Sequence, residues 1–85
     1  MRYVARLNVR PKQDIRDPQG EAVGAALRSL GLDVSAVRTG KEIVVTFDAA
    51  SEAAAQDAVR TMGNELLANP VIEDYDYELK ELARA

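Results

Sequence analysis

The chain has 85 residues, with 11 basic and 14 acidic side chains, a formal net charge of −3, and neither His nor Cys. This length suffices for one small domain, residues 1–85, whose thin aliphatic core favours association with another chain. The missing Cys and His exclude disulfides, thiolate chemistry and the usual general base, and the acidic balance argues against a nucleic-acid partner. The first residues contain no long apolar run, so we expect no signal peptide, no membrane span and a cytoplasmic location.

The first third of the chain predicts a strand and then a helix. Polar and apolar residues alternate from Tyr3 to Arg10, which is typical of a strand with one buried face, and Pro11 ends it. Asp17 and Pro18 predict a helix start, because Asp accepts the free N–H groups of a first turn and Pro needs no donor there. Gly31 ends that helix. Its apolar stripe consists of Val23, Ala26, Leu27 and Leu30.

The remainder of the chain predicts a hairpin, a second helix and a last strand. Two extended runs, Val34 to Thr39 and Glu42 to Asp48, flank Gly40-Lys41 and predict the hairpin. Asp48 or Ser51 caps the second helix, and Asn69-Pro70 ends it. The helix stripe is Ala55, Ala58, Val59, Met62 and Leu66, the last strand runs from Val71 to Leu79, and the structure of the tail from Lys80 to Ala85 is left open.

This order of elements, β-α-β-β-α-β, predicts an α+β fold of the ferredoxin-like kind: a four-stranded antiparallel sheet with both helices on one face. The first and last strands are then neighbours. Their outward faces set Arg2, Arg6 and Arg10 against Asp74, Asp76 and Glu78. The uncovered face would also carry Val4, Val37, Val44 and Ile72, a candidate surface for self-association.

Three short motifs are not fully explained by the fold: Asp17-Pro18-Gln19-Gly20, Arg38-Thr39-Gly40-Lys41 and the stretch from Leu66 to Tyr75. Gly20 lies in the predicted first helical turn, where glycine costs about 0.8–1 kcal/mol relative to alanine, so we expect another backbone or a partner to come close. Arg38 and Lys41 are either solvated turn charges or a cationic tip that meets an acidic or phosphorylated surface. Glu73 falls among core-side residues, so we expect it either to face water at an edge or to meet a cation such as Lys80.

Catalytic groups are missing from these motifs. The nucleophile candidates are Ser, Thr and Lys, and no histidine is available to activate them. Adjacent carboxylates such as Glu73 and Asp74 point to opposite faces of a strand and do not converge. The sequence therefore predicts no active site in this chain.

Together the three motifs resemble the signature stretches of the PurS family, the PurS subunits of phosphoribosylformylglycinamidine synthase. The resemblance spans Tyr3 to about Leu79. It implies a non-catalytic subunit in de novo purine biosynthesis, which holds a glutaminase subunit (PurQ) and an ATP-dependent ligase subunit (PurL) together and supports ammonia transfer. It also implies subunit-interface candidates: Asp17, Pro18, Gln19, Gly20, Arg38, Gly40, Lys41, Asn69, Pro70, Glu73 and Tyr75.

The same resemblance implies a homodimer or a dimer of dimers, no cofactor or metal bound by this chain, and ATP, Mg²⁺ and glutamine used by the whole complex. A homodimeric regulatory module that binds a small metabolite is the alternative, because ferredoxin-like domains host many functions. An RNA-binding domain would need exposed aromatic residues and a positive sheet face, which the sequence does not indicate.

Overall fold

The computed structural model describes residues 1–83, so that Arg84 and Ala85 of the tail lie outside it. Its sheet has three antiparallel strands in the order β2-β1-β3. No helix in the described part has the length and hydropathy needed to cross a membrane. The elements are β1 (Arg2–Pro11), α1 (Pro18–Ser29), β2 (Lys41–Asp48), α2 (Glu52–Met62), a π-helical turn (Gly63–Leu67) and β3 (Glu73–Glu81).

The core lies between the central strand β1 and helix α2. Alternation along β1 buries one face completely, with Tyr3, Leu7 and Val9 each no more than 2% exposed. Val59 of α2 packs against Ala5 and Leu7 at the centre of this core, and half-buried side chains of β2 and β3 surround it. The predicted strand, its buried face and its antiparallel pairing with the last strand are confirmed.

The other face of the sheet carries ion pairs across the strands. Register sets Arg10 opposite Asp74 and Arg6 opposite Glu78, as the sequence predicts. Of the three arginines, Arg10 pairs with an acidic residue of β3, whereas Arg2 and Arg6 pair with acidic residues of β2. Hydrogen bonds from Arg10 and Asn8 lower the pKa of Asp76. These exposed pairs stabilise by at most about 1 kcal/mol each. They are Arg10–Asp76 at 2.9 Å, Lys12–Asp74 at 3.4 Å, Arg6–Glu42 at 3.3 Å and Arg2–Asp48 at 3.5 Å.

The predicted hairpin is wrong, and with it the four-stranded ferredoxin-like sheet. The residues from Val34 to Thr39 form no strand, so β2 pairs with β1 along one edge and with no other strand of the described residues. The polar groups of this segment bind elsewhere: Thr39 donates to the Asp17 side chain, and Arg38 donates to carbonyls at the end of β1. Those bonds hold the segment against β1 and the start of α1, where it cannot pair with β2.

The apolar row predicted on the uncovered sheet face is also mostly wrong. Val37 lies in the irregular segment and Ile72 precedes β3, so neither belongs to a strand. Val4 and Val44 remain there, among the charged side chains that form the ion pairs described above. Because charges cover most of this face, it is not a continuous apolar contact surface.

Helix α1 forms where predicted, but its apolar stripe is not buried. The Asp17 side chain caps its start, and Gly31 ends it with φ of 88°. Val23 is 39% exposed and Leu30 is 77% exposed. Within residues 1–83, α1 makes no extensive contact with any strand or with α2, so only α2 covers the sheet. The radius of gyration is 16.6 Å, against about 12 Å for a compact chain of this length.

The π-helical turn after α2 shifts the apolar stripe by one residue. The Ala68 N–H donates to the carbonyl of Gly63, five residues earlier, which widens the turn relative to an α-helix. Leu67 therefore packs against the core, while Leu66, predicted to be on the stripe, is 81% exposed. The turn begins at Gly63, which lies directly against the Tyr75 ring, so that a Cβ at this position would overlap the ring.

We predict that Gly63→Ala lowers the free energy of unfolding by about 1–2 kcal/mol, because the new methyl group displaces the Tyr75 ring. Urea unfolding at fixed protein concentration measures the change. Gly24→Ala is the matched control, since its added Cβ would lie 3.3 Å from the mobile end of Arg28. Equal stability of the two variants would contradict this role of Gly63.

Candidate functional site

The three motifs lie far apart in the sequence, but the fold brings them together at one end of the sheet. They surround an open cavity of about 570 Å³, here called the junction cavity. Each motif contributes to its lining, together with the end of β1 and the loop that follows. The lining residues are Val9, Pro11, Ile15, Arg16, Asp17, Pro18, Gln19, Thr39, Gly40, Lys41, Ile72 and Glu73.

The carboxylate of Asp17 joins the first motif to the second. Its side chain accepts hydrogen bonds from the Gly20 N–H at 2.9 Å, the Thr39 N–H at 2.6 Å and the Thr39 hydroxyl at 3.0 Å. Asp17 is only 6% exposed. The bonds from the backbone of Thr39 and of Gly20 hold the pKa of Asp17 below its usual range. The side chain that caps α1 therefore also connects this helix to Thr39 in the second motif.

Gly20 is required by the close approach of the second motif. A Cβ at this position would lie 2.5 Å from both the Asp17 carboxylate and the Val37 carbonyl oxygen. The expected close approach of another backbone is confirmed, and the approaching backbone belongs to the chain itself. Pro18 and Gln19 are exposed beside it at the mouth of the cavity.

Arg38 and Lys41 do not form a paired cationic tip, which corrects the prediction from sequence. Arg38 is exposed and donates to carbonyls of its own chain, those of Pro11 at 3.3 Å and Lys12 at 2.7 Å. Gly40 lies directly against the backbone of β1. Lys41 is exposed on the cavity lining and forms no ion pair with any described residue.

The third motif passes through a compact loop at residues 68–72 and then forms the start of β3 with Glu73 and Tyr75. Glu73 accepts a hydrogen bond from the Asn69 N–H at 2.8 Å, and the Asn69 side chain accepts one from Val71 at 3.0 Å. Glu73 is half-buried at the start of β3, which lies at an edge of the sheet, and it forms no ion pair with Lys80 within the described residues. Pro70 is exposed beside it.

The third motif joins β1 through its backbone, and Tyr75 lies away from the junction cavity. Lys12 N–H donates to the Ile72 carbonyl at 2.8 Å. The Tyr75 hydroxyl donates to the Asn64 side chain at 2.9 Å. Tyr75 lines a second cavity of about 360 Å³, which shares Glu73 with the first.

Sequence reasoning missed two contributors to the site. Thr39 donates twice to Asp17, and Ile15 supplies half-buried apolar lining. Nothing local marks Thr39, because its partner lies 22 residues away. Ile15 carries a weak signal, as an isolated apolar residue in a polar loop.

The wall of the junction cavity is largely apolar, and its carboxylates are engaged by internal hydrogen bonds. Within the described part of the chain, no group of three or more acidic residues could hold a metal ion. The sequence has neither histidine nor cysteine.

Comparisons with known proteins agree on one family. Residues 4–81 match the PurS model, described as phosphoribosylformylglycinamidine (FGAM) synthase. The PurS subunit of that synthase from Synechocystis is 44% identical over 84 residues, covering 98% of this chain and 84% of its own length. The structure of Thermus thermophilus PurS matches with a TM-score of 0.88 and 45% identity, covering 98% of this chain and 100% of its own. A chain in the structure of PurLQS from Thermotoga maritima matches with a TM-score of 0.82 and 35% identity, covering 96% of this chain and 99% of its own.

We predict that Asp17→Asn lowers stability at pH 7 and that this difference disappears in acid. The pKa of Asp17 is lower in the folded state than in the unfolded state. The carboxylate therefore contributes its full stabilisation above the unfolded-state pKa of about 3.9, and this stabilisation is lost as the pH falls below that value. Urea unfolding midpoints between pH 7 and pH 2.5 measure the effect. Asp33→Asn, at an exposed position, is the control and should match the wild type. A difference that does not change with pH would contradict the role of the Asp17 charge.

Proposed function

Since the chain belongs to the PurS family and is thus a subunit of FGAM synthase in purine biosynthesis, we propose that it bridges the other subunits of that enzyme. It would hold the glutaminase subunit PurQ and the ATP-dependent ligase subunit PurL together and support the transfer of ammonia between them. The observation that carries the proposal is the match over residues 4–81, supported by a similar chain in the PurLQS structure.

The geometry supports a binding role for the three motifs. They converge on one surface through hydrogen bonds within the chain, and that surface lacks the residue types of an active site. Some of the candidate interface residues contact the chain's own backbone, namely Asp17, Gly20, Arg38, Gly40 and Glu73. The candidates left to contact another subunit directly are Pro18, Gln19, Lys41, Asn69 and Pro70.

Chemistry in this proposal belongs to the other subunits. ATP, Mg²⁺ and glutamine would bind to the ligase and the glutaminase, and this chain would bind none of them. Its contribution is to hold two active sites at a fixed separation, which keeps a reactive intermediate such as ammonia from escaping. We expect this assembly in the cytoplasm.

A homodimer is supported by the exposed stripe of α1. Helices in water normally bury such a stripe, and α1 has no extensive contact with its own sheet. Val23 and Leu30 are exposed, and Leu27 is half-buried beside them. A second copy that covers this stripe would also compensate for the thin core and the elongated shape of the protomer. A dimer of dimers would need a further contact surface.

We predict that the tagged chain, added to extract of its own source cell with glutamine and Mg-ADP, recovers a glutaminase and an ATP-dependent ligase. Mass spectrometry of the retained proteins makes the measurement, and a tagged unrelated protein of the same charge is the control. If folded bait retains neither enzyme, the bridging role is wrong. Saturable binding of glutamine or ADP to the isolated chain would then favour a regulatory module.

We predict that Leu30→Glu raises the dimer dissociation constant roughly ten- to a hundredfold. Loss of a buried leucine contact costs about 1.5–3 kcal/mol, and each 1.4 kcal/mol is a factor of ten. Sedimentation velocity over a concentration series measures it. Ala25→Glu, on another side of the same exposed helix, is the matched control. A dimer that tolerates Leu30→Glu as well as Ala25→Glu does not use the stripe.

A further inference from the structure

Lys41 is the charged group of the junction cavity that finds no ion-pair partner within the described residues 1–83. Arg16 forms an ion pair with Glu21 at 2.8 Å, and Arg38 is bound to main-chain carbonyls. The carboxylates of Asp17 and Glu73 accept hydrogen bonds from the backbone. Among the charged side chains of the lining, Lys41 is thus the one that forms no hydrogen bond or ion pair with any of residues 1–83, although Asp17 and Glu73 keep their negative charge.

Apolar side chains surround this charge. Pro11 and Ile15 on the lining are half-buried, and Ile72 on the same lining is 42% exposed. A surface that combines an apolar wall with one unpaired cation is complementary to an apolar side chain next to a carboxylate. The positive charge also excludes a purely apolar occupant, which would leave Lys41 desolvated and unpaired.

Two backbone donors of the helix start beside the cavity are already used within the chain, next to the negative charge of Asp17. The first-turn N–H of Gly20 donates to the Asp17 side chain, and that of Glu21 donates to the Asp17 carbonyl. These donors are therefore not available to a phosphate group. The cavity is also open to solvent, with Gln19, Gly40 and Lys41 exposed on its lining, whereas small-molecule sites enclose most of their ligand.

From these observations we propose that the junction cavity receives a segment of another FGAM synthase subunit, in which an aspartate or glutamate pairs with Lys41 and a neighbouring apolar side chain packs on Ile15 and Ile72. This inference rests on the proposed function, and it adds the chemistry of the contact. It also divides the second motif: Lys41 recognises the partner, and Arg38 only holds the loop.

The first test measures binding of the chain to reconstituted glutaminase and ligase subunits. Lys41→Gln should weaken binding roughly tenfold and reduce its salt dependence, and Lys41→Arg should restore most of it. Lys80→Gln, an exposed lysine on the other sheet face, is the control and should change binding less than about twofold. Circular dichroism checks that each variant is folded.

A second pair of variants tests the apolar wall. Ile72→Ser should weaken binding by several-fold, whereas Val44→Ser should not. The two positions are matched, because Ile72 is 42% exposed and Val44 is 49% exposed. The inference is overturned if Lys41→Gln weakens binding no more than Lys80→Gln does, and Ile72→Ser no more than Val44→Ser does.

A third test identifies the occupant directly. Carbodiimide couples an amine to a carboxylate in contact, so treatment of the complex should join Lys41 to an aspartate or glutamate of another subunit, located by mass spectrometry. A link from Lys41 to a second copy of this chain would overturn the inference, as would links at other lysines with none at Lys41. Saturable binding of free glutamine that Lys41→Gln abolishes would make the cavity a small-molecule site instead.

These outcomes separate the inference from the function it rests on. If the wild-type chain binds neither subunit, the proposed function fails first. If the wild type binds and the Lys41 and Ile72 variants bind equally well, the bridging role stands and only the position of the contact is wrong.

Discussion

The buried carboxylate of Asp17 connects the start of α1 to the segment that leads into β2. Three hydrogen-bond donors from two parts of the chain converge on it. A carboxylate with such partners remains ionised while nearly inaccessible to water, which makes the connection strong and dependent on charge. The positions of Gly20, Thr39 and Lys41 all follow from it, so the surface proposed to meet the partner subunits depends on this link.

A second constraint is the small amount of core that the protomer builds alone. One helix covers a three-stranded sheet, and α1 stands apart with apolar side chains exposed. Aliphatic side chains of modest size provide most of the burial, because the sequence has no tryptophan and a single phenylalanine. Chains with so little interior usually gain stability from association. Under the bridging role proposed above, the same contacts would serve folding and assembly.

Residues of the three motifs divide into those that shape the surface and those that face outward. Asp17, Gly20 and Arg38 interact with the chain's own backbone, so their replacement would disturb the surface as a whole. Lys41 and Ile72 project from it, so their replacement would change a contact and leave the fold intact. Two residues of one motif, such as Arg38 and Lys41, can therefore differ in role, because one contacts the chain's own backbone and the other faces outward.

Local signals in the sequence determined the two helices, the central strand and the pairing of the first and last strands. Caps, glycine stops and alternation act within a few residues, so the sequence contains them directly. The membership of the PurS family also followed from the sequence. Only the tertiary structure decided three other features: the absent fourth strand, the exposure of Leu66 and the contact of Arg38 with the end of β1. Each depends on a partner distant along the chain: Asp17 holds Thr39, the Tyr75 ring meets Gly63, and the end of β1 accepts Arg38. No local pattern records such partners, because they become neighbours only when the chain has folded.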